Sequence, residues 1–196
     1  DYAAWQQRVS DPGRVAINLS LKELSQASFI PRCRSVFERH NVSASCVELE
    51  ITETTLMLDA ERTLPLLDEL RSMGIHLSID DFGTGYSSLS ALQQFPISTL
   101  KIDRSFVTNA ATDPDDATIV RTIIEMGRSL GLQVIAEGIE TEEQRYFLLH
   151  SGCQLGQGRL FGDAISSDAF LELLLRQATG EHPVLQLPAR GAATSA

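Results

Sequence analysis

Oxygen-bearing side chains recur in this sequence where short apolar runs end. The clearest case is HLSIDDFGTG, in which Leu77 to Ile79 leads into Asp80 and Asp81 and then into Gly83 and Gly85. Two adjacent acids at the end of an apolar segment repel each other and lose hydration if buried. A bound cation removes that cost. So does a surface turn, and for this stretch alone the turn is the simpler account. The pattern repeats elsewhere: Asn18 ends RVAIN, Glu50 and Glu53 end VELEITE, and Lys101 and Asp103 flank the end of TLKID. Glu137 follows LQVIA, and Gln157 follows CQLG.

Read singly, each residue has an ordinary explanation. Asp and Asn cap helices and make turns, Lys101 is a solvated charge, and Asp103 with Arg104 is a surface pair. Gln157 between glycines is a turn, and Glu48 is a surface or core-edge residue outside the candidate set. The ordinary reading must hold at about six strand ends at once. The alternative is a rim of Asn and carboxylate oxygens, which suits a hard cation such as Mg²⁺, Mn²⁺ or Ca²⁺. Adjacent aspartates let one carboxylate bridge two ions about 4 Å apart, the arrangement used for phosphoester hydrolysis. Lys101 would then hold a phosphate or orient the attacking water. Asp81-Phe82-Gly83 also spells a protein-kinase metal motif, but no HRD precedes it and no glycine-rich nucleotide loop opens the chain.

The elements that would carry these residues alternate. Strands are expected at Arg14 to Ser20, Val47 to Glu53, His76 to Ile79, Thr99 to Ile102 and Leu132 to Ala136, with a last short one inside CQLGQGRLF. Helices are expected at Phe29 to His40, Asp59 to Met73, Asp116 to Leu130, Thr141 to Ser151 and Ser167 to Ala178. In the third, Ile119, Val120, Ile123, Ile124, Gly127 and Leu130 share one side. Pro65 makes the second start late or kink. Thr141 and Gln144 have capping-box spacing, and Gly74, Gly131 and Gly152 stand where helix C-caps are wanted. Alternating elements with short apolar strands imply an α/β fold with a parallel sheet, either a TIM-barrel-like (β/α)₈ fold or a doubly wound sheet. The absence of GxGxxG and GxxxxGK[ST] lowers the odds of a dinucleotide fold or P-loop. In a barrel, the C-terminal rim of the strands is where sites are built. Residues 1–178 form the expected domain, and 179–196, small, proline-containing and aperiodic, the expected disordered tail or linker.

The totals are compatible. The 196 residues suffice for one domain with a core, and hydrophobic and charged residues at 43% and 21% describe a globular chain. The formal charge of −10 argues against a nucleic-acid polymer as partner. No apolar run approaches the length of a membrane span, so a cytoplasmic location is expected, alone or as the cytoplasmic part of a membrane-anchored protein. Cys33, Cys46 and Cys153 lack metal-site spacing and are expected to be free thiols.

Taken in order, NLS at 18–20, ELEITE at 48–53, DDFGTGYSSL at 80–89, KID at 101–103, AEGIET at 136–141 and QGRLFG at 157–162 resemble an EAL domain. The resemblance implies a TIM-barrel-like fold and hydrolysis of cyclic di-GMP to linear pGpG with two Mg²⁺ or Mn²⁺ ions. It implies that Asn18, Glu50 and Asp80 ligate the first metal, and that Asp80 bridges to the second beside Asp81 and Glu137. Lys101 and Glu137 would serve the hydrolytic water or phosphate. Asp103, Glu140 and Gln157 would line the substrate side. Glu53 would anchor the loop Phe82 to Ser88, through which the family forms a homodimer. Upstream sensory or GGDEF domains are expected in the full protein.

Two departures stand out. The Glu-Ala-Leu segment with its nearby Arg is absent, and with it one metal-ligand Glu and the first barrel strand or strands, so the chain is expected to be a fragment that alone need not be active. QGRLFGDAI carries Arg159 where the family tends to have an aromatic residue, and Asp163-Ala164 where it has a basic residue and proline. The alternatives are a catalytically silent cyclic di-GMP receptor and, less favoured, an unrelated metal-dependent barrel enzyme.

Overall fold

The computed structural model describes residues 1–58, 60–85 and 92–179. All but the first residue of the 179–196 tail expected to be disordered, and the end of the Phe82–Ser88 loop, lie outside the described residues. Two compact units are present. One joins Asp1–Pro12 to residues 163–179, and the other is Gly13–Gly162. In the first, α1 (Tyr2–Trp5) meets α9 (Ser167–Ala178) through Trp5 and Phe170, whose tilted rings lie 4.9 Å apart. Among the described residues no helix is long and apolar enough to cross a membrane.

The second unit is a six-stranded parallel sheet in simple sequential order. Its strands are β1 (Val15–Asn18), β2 (Val47–Thr52), β3 (His76–Phe82), β4 (Thr99–Ile102), β5 (Gln133–Ala136) and β6 (Leu155–Gly156). The connections carry α2 (Leu21–Leu24), α3 (Phe29–His40), α4 (Glu53–Leu58), α5 (Ala60–Ser72), α6 (Arg104–Asn109), α7 (Pro114–Ser129) and α8 (Glu142–His150). Gly74, Gly131 and Gly152 take φ values of 96°, 70° and 91°, the left-handed geometry in which a helix turns back to a strand. The Thr141–Gln144 capping box is formed, and Gln144 also donates to the Thr108 carbonyl at 3.0 Å, tying α8 to α6. The three cysteines are free.

Strand alternation divides the sheet into two unlike faces. Leu49 and Ile51, Leu77 and Ile79, and Leu100 and Ile102 share one face and join the apolar core with Leu67, Leu70, Val107, Val120 and Ile124. The opposite face carries Glu48 and Glu50, Ser78 and Asp80, and Thr99 and Lys101, all 9% exposed or less. A buried face made of polar groups costs stability unless its members pair, so it is where function is expected to concentrate.

Several boundaries differ from the sequence expectation. β3 runs through Asp80 and Asp81 to Phe82 instead of stopping at Ile79. Glu53 is the first residue of α4 rather than the end of β2. CQLGQGRLF contains only the two-residue β6. α5 is already helical at Ala60, with Pro65 inside it, so it does not start late. The helices α2, α4 and α6 span 4, 6 and 6 residues, too short to show a periodic pattern. Ile119 lies on the exposed side of α7.

Candidate active site

Lys101 is the centre of the polar face. It points from β4 with only 3% of its surface exposed, and its Nζ lies 2.6 Å from Glu50 Oε1 on β2 and in contact with Glu137 Oε1 just past β5. Asp80 Oδ1 on β3 is 3.6 Å away, inside ion-pair range but beyond hydrogen-bond reach, and this oxygen has no hydrogen-bond partner among the described residues. Gln157, just past β6, donates from Nε2 to Glu137 Oε1 at 2.6 Å. Three strands and the turns after two more thus converge on one point. Burial alone would pull the Lys101 pKa down, but hydrogen bonds to Glu137 and Glu50 and the charge of Asp80 outweigh it and hold it above the lysine range. Burial pushes the Glu137 carboxyl up, against the lowering effect of Lys101.

Adjacent strand residues normally face opposite ways, so Asp80 and Asp81 should not serve one site. The backbone resolves this. Between Ile79 and Phe82 the register of β3 against β4 shifts, and Asp81 takes φ 53°, a left-handed conformation that Asp tolerates better than most residues. The bulge brings ligand atoms of Asp80, Asp81 and Glu137 within 4.8 Å of one another, a group that could hold a metal ion. Burial, and then the neighbouring charges of Asp80 and Asp103, raise the Asp81 pKa.

The remaining candidates occupy the surroundings. Asp103 N-caps α6 by accepting from the Ser105 amide at 2.9 Å. Burial opposes its ionisation, but the Ser105 hydrogen bonds prevail and lower its pKa. Glu53, 2% exposed, accepts from the amides of Gly83 and Gly85 at 3.0 and 3.2 Å, so one buried carboxylate fixes the start of the loop behind the aspartates. Asn18 stands opposite Glu50 in the β1–β2 register, on an exposed edge strand. Glu140 is not joined to the Lys101 cluster. It is exposed and pairs with Arg104 at 3.0 Å and Arg159 at 3.9 Å.

Sequence reasoning missed two features. Glu48 is no surface residue: it is 6% exposed and bonded to Arg14 at 2.9 Å. Ser78 Oγ is fully buried without a hydrogen-bond partner among the described residues, on the same face as Glu50 and Lys101. Its signal was present, since period-two alternation from Asp80 places Ser78 on the polar face.

The EAL domain family matches residues 1–164. The bifunctional diguanylate cyclase/cyclic di-GMP phosphodiesterase MucR of Pseudomonas aeruginosa is 45% identical over 157 residues, covering 80% of this chain and 23% of that protein. The cyclic di-GMP phosphodiesterase NbdA of the same organism is 44% identical over 161 residues, 82% of this chain and 21% of that protein. The chain therefore spans less than a quarter of the length of these relatives. Among solved structures, the MucR phosphodiesterase in complex with c-di-GMP aligns with TM-score 0.81 and 43% identity, over 86% of this chain and 68% of that one. The EAL domain of Mycobacterium smegmatis DcpA gives TM-score 0.84 and 38% identity over 93% and 81%. A manganese/cyclic di-GMP complex of Klebsiella pneumoniae BlrP1 gives 0.75 and 30% over 83% and 42%. These likenesses agree with the α/β, TIM-barrel-like fold class expected from the alternating elements.

Proposed function

The chain belongs to the EAL domain family, and on that premise we propose that it is a metal-dependent phosphodiesterase domain that hydrolyses cyclic di-GMP to linear pGpG. The observation that carries the reading is the charge imbalance on the polar face. Among the described residues, Glu50, Asp80, Asp81 and Glu137 meet a single ammonium, Lys101, and one buried Asp80 oxygen has no hydrogen-bond partner. Such an oxygen-only donor set suits Mg²⁺ or Mn²⁺. Asn18, Glu50, Asp80, Asp81 and Glu137 are the residues that would hold two ions. When bound, the ions supply Lewis acidity toward the phosphodiester and lower the pKa of water.

The chain's own groups do the rest. Glu137, fixed by Gln157 and Lys101, accepts a proton from the attacking water. Lys101 holds its proton throughout and balances the charge that develops on phosphate oxygens. Asp103, Glu140 and Gln157 face the substrate. Glu53 stiffens the loop through which a homodimer would act on the aspartates. In the whole protein, upstream sensory or GGDEF domains would set the activity of this domain in the cytoplasm.

The test is incubation of the full-length protein with cyclic di-GMP and Mn²⁺, with pGpG measured by chromatography. Turnover that Asp80→Ala abolishes supports the reading. Tight binding without turnover would replace the enzyme by a receptor.

A further inference from the structure

At the opposite end of the strands from Lys101, a cleft of about 400 Å³ lies where α7 gives way to β5 and the segment after α8 enters β6. That volume is in the range of small-molecule sites. Ile124, Leu132 and Val134 give it an apolar lining, and Arg128, Gln133 and Gln154 are its polar side chains. The backbone around it is already satisfied. The Gly131 and Leu132 amides donate to the carbonyls of Arg128 and Gly127, and the Gly152 and Cys153 amides to those of Leu149 and Leu148. The buried Cys153 thiol caps the Leu155 carbonyl at 3.2 Å, with the Val134 carbonyl at 3.6 Å. Burial pushes its pKa up, so it covers acceptors and is no nucleophile. Arg128 is the charged residue of the lining. Its Nη1 meets Glu125 at 3.2 Å in an exposed pair of little strength. Its Nη2 lies on the cleft side, where a Cβ on Gly152 would stand 3.5 Å from it, and makes no hydrogen bond among the described residues. The full charge of Arg128 exceeds the roughly half charge of the α7 C-terminus beside it.

Both strands that border the cleft lead to one contact. Val134 lies three residues before Glu137, and Leu155 two residues, or about 7 Å, before Gln157. Gln157 Nε2 donates to Glu137 Oε1 at 2.6 Å. Only two register pairs, Ile135 with Leu155 and Ala136 with Gly156, join β5 to β6 among the described residues. A body that parts the strands at the cleft therefore acts on the Gln157–Glu137 contact. The geometry points to a regulatory site: the cleft takes a small amphipathic anion, its apolar body against Ile124, Leu132 and Val134 and its single carboxylate, sulfonate or phosphate on Arg128 Nη2, and occupancy loosens Gln157 from Glu137. A cation is repelled by Arg128, and an inorganic anion leaves the apolar lining unused. The binding half stands by itself, and the regulatory half rests on the proposed reading of Glu137 as a metal ligand.

The experiment is calorimetry on the full-length protein with anilinonaphthalene sulfonate, an aromatic body carrying one anion, in wild type, Arg128→Ala and Gln154→Trp. Arg128 and Gln154 are exposed, so both variants keep the fold. Wild type is expected to bind one probe per chain. Arg128→Ala should weaken it about tenfold through the lost charge-assisted contact, and Gln154→Trp, which fills the mouth of the cleft, should abolish it. Without probe, all three proteins should bind Mn²⁺ alike. Saturating probe should weaken Mn²⁺ binding to wild type about tenfold, and Mn²⁺ should weaken the probe by the same factor. No saturable probe binding, or binding that both variants leave unchanged, overturns the site. Displacement of the probe by inorganic phosphate as readily as by decanoate overturns the ligand class. Probe binding that leaves the Mn²⁺ affinity unchanged overturns the regulatory link. A wild type that binds the probe but no Mn²⁺ refutes the metal reading and the link with it, while the cleft is upheld as a binding site.

Discussion

Replacing Lys101 with methionine removes a cation that Glu50, Asp80 and Glu137 share, at nearly constant volume. Glu50 and Asp80 are 8% and 9% exposed, so neither can turn to water for compensation. Leaving buried charges without their partner costs about 3–5 kcal/mol. In a domain of this size that corresponds to a fall in Tm of roughly 6–20 °C. The loss must depend on pH. Glu137 sits above the ordinary glutamate value of 4.5 chiefly through burial, while Lys101 pulls it down. Without Lys101 its folded pKa rises further. A carboxylate whose folded pKa exceeds its unfolded one costs nothing below the unfolded value, and its penalty grows as pH climbs to the folded value. The variant should therefore lose least near pH 4.5 and most at pH 8. Urea unfolding of both proteins in chelator at pH 5 and pH 8 measures this. A loss below about 1 kcal/mol at pH 8, or equal losses at both pH values, would refute the view of Lys101 as counter-charge to a buried acidic face. Mn²⁺ should return part of the stability of the variant, because it replaces the missing positive charge.

Three further outcomes are expected. Asp80→Asn should weaken Mn²⁺ binding about a hundredfold or more by calorimetry and abolish pGpG formation, while folding stays intact, because Lys101 keeps its closer partners Glu50 and Glu137. Glu53→Ala leaves the Gly83 and Gly85 amides without their acceptor, at about 2 kcal/mol, and limited proteolysis should then cut the loop after Phe82 faster. Gly127→Ala should destabilise by about 1–3 kcal/mol in thermal unfolding although alanine is the better helix former, because its Cβ would lie 2.3 Å from Val134 Cγ2.

The contrast between Thr141 and Lys101 shows where sequence reading stops. Thr141 and Gln144 announce a helix start because a capping box is a local event completed within four residues. Gly74, Gly131 and Gly152 announce helix ends for the same reason, since a left-handed residue is needed there whatever lies nearby. The apolar strands and the acids at their ends were likewise legible, and so was the order of motifs that placed the chain among EAL domains. By itself the sequence determined the alternation of elements, the parallel sheet and the end of it that carries chemistry. It did not determine which acids meet. Asp80 and Asp81 share a site only because a register shift against β4 turns one of them, and Glu50 and Glu137 share Lys101 only because β2, β3, β4 and β5 lie side by side. Glu140, in the same motif as Glu137, is carried to a different partner by Arg104 and Arg159. Those pairings depend on contacts between residues 19 to 51 positions apart, and electrostatic energy depends on distance in space, which only the folded sheet sets.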